Sequence, residues 1–432
     1  MPTTTPLPPG PRAPRAVQSL AWLARPVPFM ERCHRRYGDV FSVRVAYEGT
    51  WIFLAHPDAI KEVFTGDPKV LHAGEANRVL RPWLGSNSVL LLDDDEHMAQ
   101  RRLLLPPFHG RRMQRYEELM TELARRAVAR WPAGEPIALW PHMQAVTLEV
   151  IVQAIFGESG GPRMDRLLAA LRATAESTTS WRTMLKMASL GPDRIAASEA
   201  FQRRMAPVDA IVYETIAARR AEHDRGADRD DILSLLLDAR HEDGSPMTDL
   251  ELRDELMTLL LAGHETTATS LSWAIERLVR HPDALDRLAD GDDDYLDAVI
   301  KETLRLRPVL PIVVRKAKAP VRVAGWDFPP GVTLTPCIHL VHRRPDIYPE
   351  PHRFRPERFL EQPAGTYTWI PFGGGVRRCL GASFAQFEMK AILRVIARER
   401  RLTPARPERE RVRRRAITLT PNRGAEVVAW PA

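Results

Sequence analysis

The chain has 432 residues, 44% hydrophobic and 27% charged, a balance that excludes disorder and fibrous or collagen-like architecture. Its 62 Lys and Arg against 55 Asp and Glu leave a net charge of +7. The densest basic run, Arg409, Arg411, Arg413, Arg414 and Arg415, has no interleaved aromatics, so it reads as a solvated surface stretch and no nucleic-acid partner is expected.

Prolines crowd residues 1–28, at positions 2, 6, 8, 9, 11, 14, 26 and 28, and predict an extended N-terminal arm ahead of a single domain over 29–432. The arm lacks the charged head and apolar middle of a secretion signal, and no apolar run approaches the roughly 20 residues that cross a bilayer. A soluble cytoplasmic protein without a membrane anchor is expected. Three cysteines, Cys33, Cys337 and Cys379, are an odd number scattered over a long chain, which fits a reducing compartment better than a disulfide framework.

Val40 to Val45 and Trp51 to Ala55 read as two short strands around Glu48-Gly49. Apolar spacing of three and four then predicts helices over Gln114 to Arg130, Met143 to Phe156, Met164 to Thr174, Ala200 to Glu222 and Asp231 to Arg240. Thr248 and Glu251 form a capping box, and the helical pattern runs from there to His281 without a proline, long enough to cross the domain. Val321 to Val323 and Val332 to Ile338 read as strands flanking Pro329-Pro330-Gly331. The fold class is mainly α with small β-sheets.

Three constellations carry chemistry. In the middle of the long helix, Ala262-Gly263-His264-Glu265-Thr266-Thr267 interrupts an apolar run. Gly263 and the threonines predict a distorted helix centre, where Glu265 and Thr266 read either as a proton-delivery pair or as a solvent-facing polar patch. Glu302 and Arg305, three apart beside Ala298, Val299 and Leu306, read as a buried clamp or as a surface ion pair.

The third constellation, FGGGVRRCLG over Phe372 to Gly381, is a glycine-rich loop that places Cys379 at the entrance to a helix, where backbone N–H groups, Arg377 and Arg378 favour a thiolate. The loop lacks the order of residues that cradles phosphate, and no second Cys or His stands nearby for zinc. The sequence places no base beside Cys379 for nucleophilic work. A single thiolate on a larger cofactor remains.

Together these residues resemble the haem-thiolate monooxygenases, the cytochrome P450 family, from about Tyr37 to the C-terminus. Phe372, Gly375, Arg377, Cys379 and Gly381 match the ligand loop F-x-x-G-x-R-x-C-x-G. Ala262, Gly263, Glu265 and Thr266 match the central-helix pattern A-G-x-[DE]-T. Glu302 and Arg305 match E-x-x-R, and FRPERF supplies Arg358 as its third member.

The resemblance implies the cytochrome P450 fold, haem b with Cys379 as axial ligand of the iron, and donors to the haem propionates at His97, Arg101, Arg315 and Arg377. It implies insertion of one oxygen atom of O2 into a hydrophobic substrate: a fatty acid, terpenoid, steroid or polyketide. Electrons would come from a separate ferredoxin and ferredoxin reductase, steered by Arg377, Arg378 and Lys390. The substrate pocket would draw on residues 72–92, 177–190 and 309–314, including Leu80, Trp83, Leu84, Val89, Trp181, Met184, Met187 and Leu310. A haem sensor or carrier would also use one axial cysteine but has no need of Glu265 and Thr266. A peroxide-driven oxygenase or isomerase would be expected to alter that pair, and a cysteine hydrolase would lack colour.

Overall fold

The computed structural model describes residues 6–46, 48–108, 112–157, 161–178, 191–226 and 229–432. In chain order the elements that build the site are α1 (Arg15–Ala24), α2 (Pro26–Tyr37), β1 (Val40–Val45), β2 (Gly49–Leu54), β3 (Leu71–His72), α3 (Asp94–Leu104), α4 (Arg112–Ala129), α5 (Leu139–Phe156), α6 (Glu199–Asp224), α7 (Asp249–Leu278), α8 (Asp293–Leu306), β4 (Arg315–Ala317), β5 (Val321–Val323), β6 (Trp326–Phe328), β7 (Thr333–Pro336), α9 (Ala382–Glu399), β8 (Val412–Arg415) and β9 (Thr418–Pro421).

The N-terminal segment is extended only up to Pro14. There Ser42 of β1 donates to the carbonyls of Pro8 (2.7 Å) and Pro9 (3.0 Å). Beyond it two helices replace the expected arm, because its remaining prolines sit where a helix accepts them: Pro14 caps α1, Pro26 opens α2 and Pro28 lies in the same first turn.

A second correction concerns the later strands. Val321–Val323 pairs with Trp326–Phe328, not with the 332–338 run, through a two-residue turn at Ala324 and Gly325, both at positive φ. That left-handed turn suits the twist of a hairpin, and it wins over the proline-glycine turn further on. Strand β7, buried at all four positions, lies parallel to β2 in a five-stranded sheet ordered β1-β2-β7-β4-β3.

The helical core centres on α7. Its capping box forms as the sequence predicts: Glu251 N donates to Thr248 Oγ1 (3.2 Å) and Thr248 N to Glu251 Oε2 (2.8 Å). The helix continues unbroken through Gly263. Thr266, Thr267 and Ser270 each donate back to the carbonyl four residues earlier, at 2.8, 3.1 and 2.9 Å. Gly263 serves helix packing: a Cβ there would lie 3.1 Å from Ile151 Cγ1 of α5. At the same crossing Thr147 donates to the His264 carbonyl (3.0 Å).

Two buried ionic devices fasten this core. Glu302 and Arg305 on α8, both fully enclosed, form a bidentate pair at 2.6 and 2.8 Å. Arg358 Nε (3.2 Å) and Arg355 N (2.9 Å) add two more donors to Glu302. Arg305 also donates to the carbonyls of His342 (2.7 Å), Pro351 (2.8 Å) and Arg353 (3.3 Å), so the clamp binds α8 to the loops that precede Cys379. The second device straps residues 87–93 to the start of α7. Asp254 accepts from Asn87 N (3.0 Å) and Nδ2 (2.9 Å), and Glu255 accepts from Val89 N (2.7 Å).

Removing one partner of a buried, hydrogen-bonded pair strands the other charge, so Glu302→Ala is expected to destabilise the protein by about 3–5 kcal/mol. A chemical-denaturation midpoint equal to that of the parent would contradict the clamp. Burial pushes the Glu255 carboxyl up to about 8. The folded state therefore keeps its proton while the unfolded state, with an ordinary carboxyl, has lost it, and this contribution to stability declines as pH rises from about 4.5 to about 8. Glu255→Gln should flatten that decline in a series of melts across the same window; parallel curves for the two proteins would count against it.

Candidate active site

The loop that carries Cys379 is built by backbone bonds from the clamp outward. His342, whose carbonyl receives Arg305, accepts the Ile370 N–H on its Nε2 (2.8 Å). Burial and the adjacent Arg305 hold His342 well below the usual imidazole range, so it stays the neutral acceptor this bond needs. Gly373 N then reaches the Ile370 carbonyl (3.0 Å), and Cys379 N reaches the Phe372 carbonyl (3.0 Å). Phe372 packs edge-on against Trp369.

Glycine is required at two successive loop positions. A Cβ on Gly374 would fall 2.2 Å from the Phe64 ring, and one on Gly375, at φ +65°, would fall 2.2 Å from the Phe64 carbonyl oxygen.

Cys379 is reached by solvent yet lies deep enough that burial raises its thiol, against the Gly381 N–H, Arg101 and Arg378, which favour the thiolate. The helix entrance and arginines alone do not outweigh burial, so a stable thiolate here calls for a cationic partner at the sulfur. The other two cysteines are plain core residues; Cys337 is packed against Met30 and burial pushes it up to about 12.

Four basic side chains converge on the same region. His97 is buried with Arg377, Arg101 and Arg315 all facing it, and burial together with these charges drives its imidazole down to about 3. Arg315 of β4 is 7% exposed and is pushed to about 10 by burial, with Arg377 adding to the effect. Arg377 reaches about 10, lowered by burial and supported by Asp93. It donates to Asp93 Oδ1 (2.6 Å) and to the carbonyls of Val89 (3.2 Å) and Leu92 (2.6 Å). Arg101 of α3 faces Cys379, and its guanidinium makes no hydrogen bond among the described residues. Three guanidiniums against the carboxylate of Asp93 form a region that attracts an anion.

On α7, Ala262 is exposed between the half-buried Leu261 and Gly263, and Thr266 Oγ1 lies one turn on from it, bonded to its carbonyl. Adjacent helix positions differ by about 100° in direction, so Glu265 points elsewhere than Thr266. Its Oε1 accepts from Thr418 Oγ1 of β9 (3.1 Å) and stands 3.9 Å from Arg415 Nε of β8. Burial raises the Glu265 carboxyl, with Arg415 and Thr418 opposing.

This corrects the reading of the basic run as wholly solvated. Arg415 turns inward over the Trp140 ring, and Arg414 donates to the Trp22 carbonyl (3.0 Å), while Arg411 and Arg413 remain exposed. Sequence reasoning missed Asp93, Arg415 and Thr418.

Of the expected pocket residues, Trp83, Leu84 and Val89 are buried in the helical core, with Trp83 edge-on to Phe201 of α6, and Leu80 is half-buried against it. Trp181, Met184 and Met187 lie outside the described residues. Of the three basic residues expected to face a redox partner, Arg378 is exposed, whereas Arg377 is committed to Asp93 and Lys390 pairs with Asp297 at 2.7 Å.

The chain is 45% identical over 435 residues, 98% of its own length and 91% of the relative's, to the putative cytochrome P450 135B1 of Mycobacterium tuberculosis. It is 39% identical to the putative cytochrome P450 135A1 of the same organism, covering 99% of this chain and 96% of that one. The fold matches the retinoic acid-bound cyanobacterial CYP120A1 at a TM-score of 0.86 and 24% identity, over 99% of this chain and all of that one. The haem domain of a cytochrome P450DA mutant matches at 0.84 and 25% identity, over 99% and 98% of the two chains. Because the cytochrome P450 family model spans residues 8–427, both helices of the N-terminal segment fall inside the match, and the chain belongs to the cytochrome P450 family of haem-dependent monooxygenases.

Proposed function

We propose that Cys379 holds the iron of haem b in this chain, and that the enzyme inserts one atom of O2 into a hydrophobic small molecule using electrons from a separate ferredoxin and its reductase. The observation that carries the reading is the pairing of a deep, solvent-reached thiol with a surplus of buried cations beside it.

The donor set fits the group. Haem b carries two propionate carboxylates; Arg101, Arg315 and Arg377 supply more positive charge than Asp93 consumes, and the neutral His97 adds an N–H donor. Gly374 and Gly375 let the loop backbone pack directly on Phe64, and the Gly381 N–H faces the sulfur, where it would tune ligand basicity. When bound, thiolate-ligated haem supplies the reductive activation of dioxygen.

The chain's own residues handle protons and orientation. Thr266 presents a hydroxyl one turn from the exposed Ala262, where it can hold a water. Glu265, raised by burial with Arg415 and Thr418 opposing, would supply an acid one helix position away from that hydroxyl. By the resemblance, the partly buried Leu80 and Leu310 would supply apolar lining for a lipophilic substrate. An exposed Arg378 on the thiolate side supports docking of an acidic electron carrier.

Cys379→Ser is expected to abolish the red-shifted Soret band of the reduced carbon-monoxide complex; a retained band would assign the ligand elsewhere. Thr266→Ala should retain haem and substrate binding but lower product formation on the order of 10²-fold, the consumed electrons appearing as hydrogen peroxide. Unchanged product per electron would remove Thr266 from proton delivery.

A further inference from the structure

The packing of α1 inverts the usual order of a surface helix. Its polar side chains lie inside, Gln18 at 2% and Ser19 at 7% exposure, while Leu20 at 67% and Val17 at 54% face outward. The inward polar face has a structural use. Strand β1 is an edge of the five-stranded sheet, and α1 satisfies backbone groups along it. Gln18 Oε1 accepts from Arg44 N (2.9 Å), Ser19 Oγ accepts from Ala46 N (2.8 Å), and Arg15 Nε donates to the Val45 carbonyl (2.9 Å).

The outward face has no such use. At about 100° per residue, Ala16, Val17, Leu20 and Ala24 share the side opposite Gln18 and Ser19, and all four are exposed. Among the described residues Leu20 is the most exposed large apolar side chain. An apolar ridge of this kind marks a contact surface.

The surroundings of the ridge are cationic. Residues 1–38 hold Arg12, Arg15, Arg25, Arg32, Arg35 and Arg36, all exposed, against the single acid Glu31, which stands 3.0 Å from His339 Nε2. The β8–β9 hairpin, fastened to the last turn of α1 by the bond from Arg414 to the Trp22 carbonyl, adds the exposed Arg411 and Arg413 and sets the exposed Ile417 at its turn. The acid of that stretch, Glu410, is turned inward, where it accepts from the backbone N–H groups of Arg411 (3.0 Å), Arg423 (3.1 Å) and Ala425 (3.3 Å).

This charge selects the occupant. A second copy of the chain would bring like charges together. An acidic protein would satisfy the arginines but would need a groove shaped to the ridge, whereas fluid acyl chains close around it without one. Crossing the bilayer is not at issue: α1, at ten residues, is about 15 Å long against a hydrocarbon core of about 30 Å, and no helix among the described residues is long and apolar enough to span it. We propose that α1 is a peripheral docking surface for an anionic lipid bilayer, with Val17 and Leu20 entering the interface and the arginines of α1, α2 and the hairpin facing lipid phosphates. Nothing in this contact depends on the role of Cys379.

The test is co-sedimentation of the full-length, haem-loaded protein with vesicles of phosphatidylcholine alone or mixed equally with phosphatidylglycerol. The protein should pellet with the mixed vesicles at low salt, and on the order of 10-fold less with phosphatidylcholine alone or at high salt. Val17→Ser combined with Leu20→Ser should lower partitioning into the mixed vesicles on the order of 10-fold while keeping the parental circular dichroism and Soret spectra, because both side chains lie outside the core. Arg411→Gln with Arg413→Gln should lower it severalfold. Failure of the parent to pellet with either vesicle overturns the proposal. So does a serine variant that binds as tightly as the parent, which would reduce the contact to adsorption by charge. A dimer of the parent that dissociates in the serine variant, with no vesicle binding, would give the ridge to a second copy and overturn it as well. Should the double serine variant not fold, Leu20→Ser alone decides by the same measurement.

Discussion

Glu302 accepts hydrogen bonds from two guanidiniums and a backbone amide with no solvent in reach, and the chain leading to the Cys379 sulfur hangs from that one carboxylate. Arg305 passes the constraint to the His342 carbonyl, the His342 ring passes it to Ile370 N, and the loop from Ile370 to Cys379 is closed by its own backbone bonds. Such a pair adds little net stability over an apolar replacement, but its geometry is unforgiving, and that suits a part whose task is to fix position. The sulfur is thus placed by a relay of directional bonds, not by packing alone.

A second constraint is electrostatic. Burying Arg315 and Arg377 beside Arg101 with one carboxylate for company costs free energy that the polypeptide leaves largely uncompensated. Asp93 offsets part of it and in the same stroke ties Gly74 N and Glu75 N (both 2.8 Å) to Arg377. Residues 87–93 therefore bridge two parts of the site: Asp254 and Glu255 of α7 hold one end, and Arg377 of the Cys379 loop holds the other. The two propionates of the proposed haem would complete this balance.

Much of this was legible in the sequence wherever the signal is local. The capping box at Thr248 and Glu251, the bounds of α5 and α6 to within a few residues, and the facing of Glu302 and Arg305 follow from helical periodicity and cap chemistry. Prolines misled where their position within a helix decides their effect, since Pro14, Pro26 and Pro28 each occupy the start of a helix that a count of prolines would forbid. The Val321–Val323 pairing misled because a left-handed turn at Ala324 and Gly325 carries no strong letter code. Arg415 was taken for a surface charge, since neither strand pairing nor burial is encoded in a run of like residues.

The sequence by itself determined the kind of chemistry: one cysteine in a glycine-rich loop, an acid and an alcohol in the centre of a long helix, and an ion pair on an apolar face, each set by residues adjacent along the chain or on one helix. The tertiary structure alone decided which distant groups meet them: Thr418 and Arg415 at Glu265, Asp93 at Arg377, and His342 beneath the loop. Hydrogen bonds and Coulomb interactions act over a few ångströms of space without regard to separation along the chain, so partners 150 or more residues away leave no trace in local spacing.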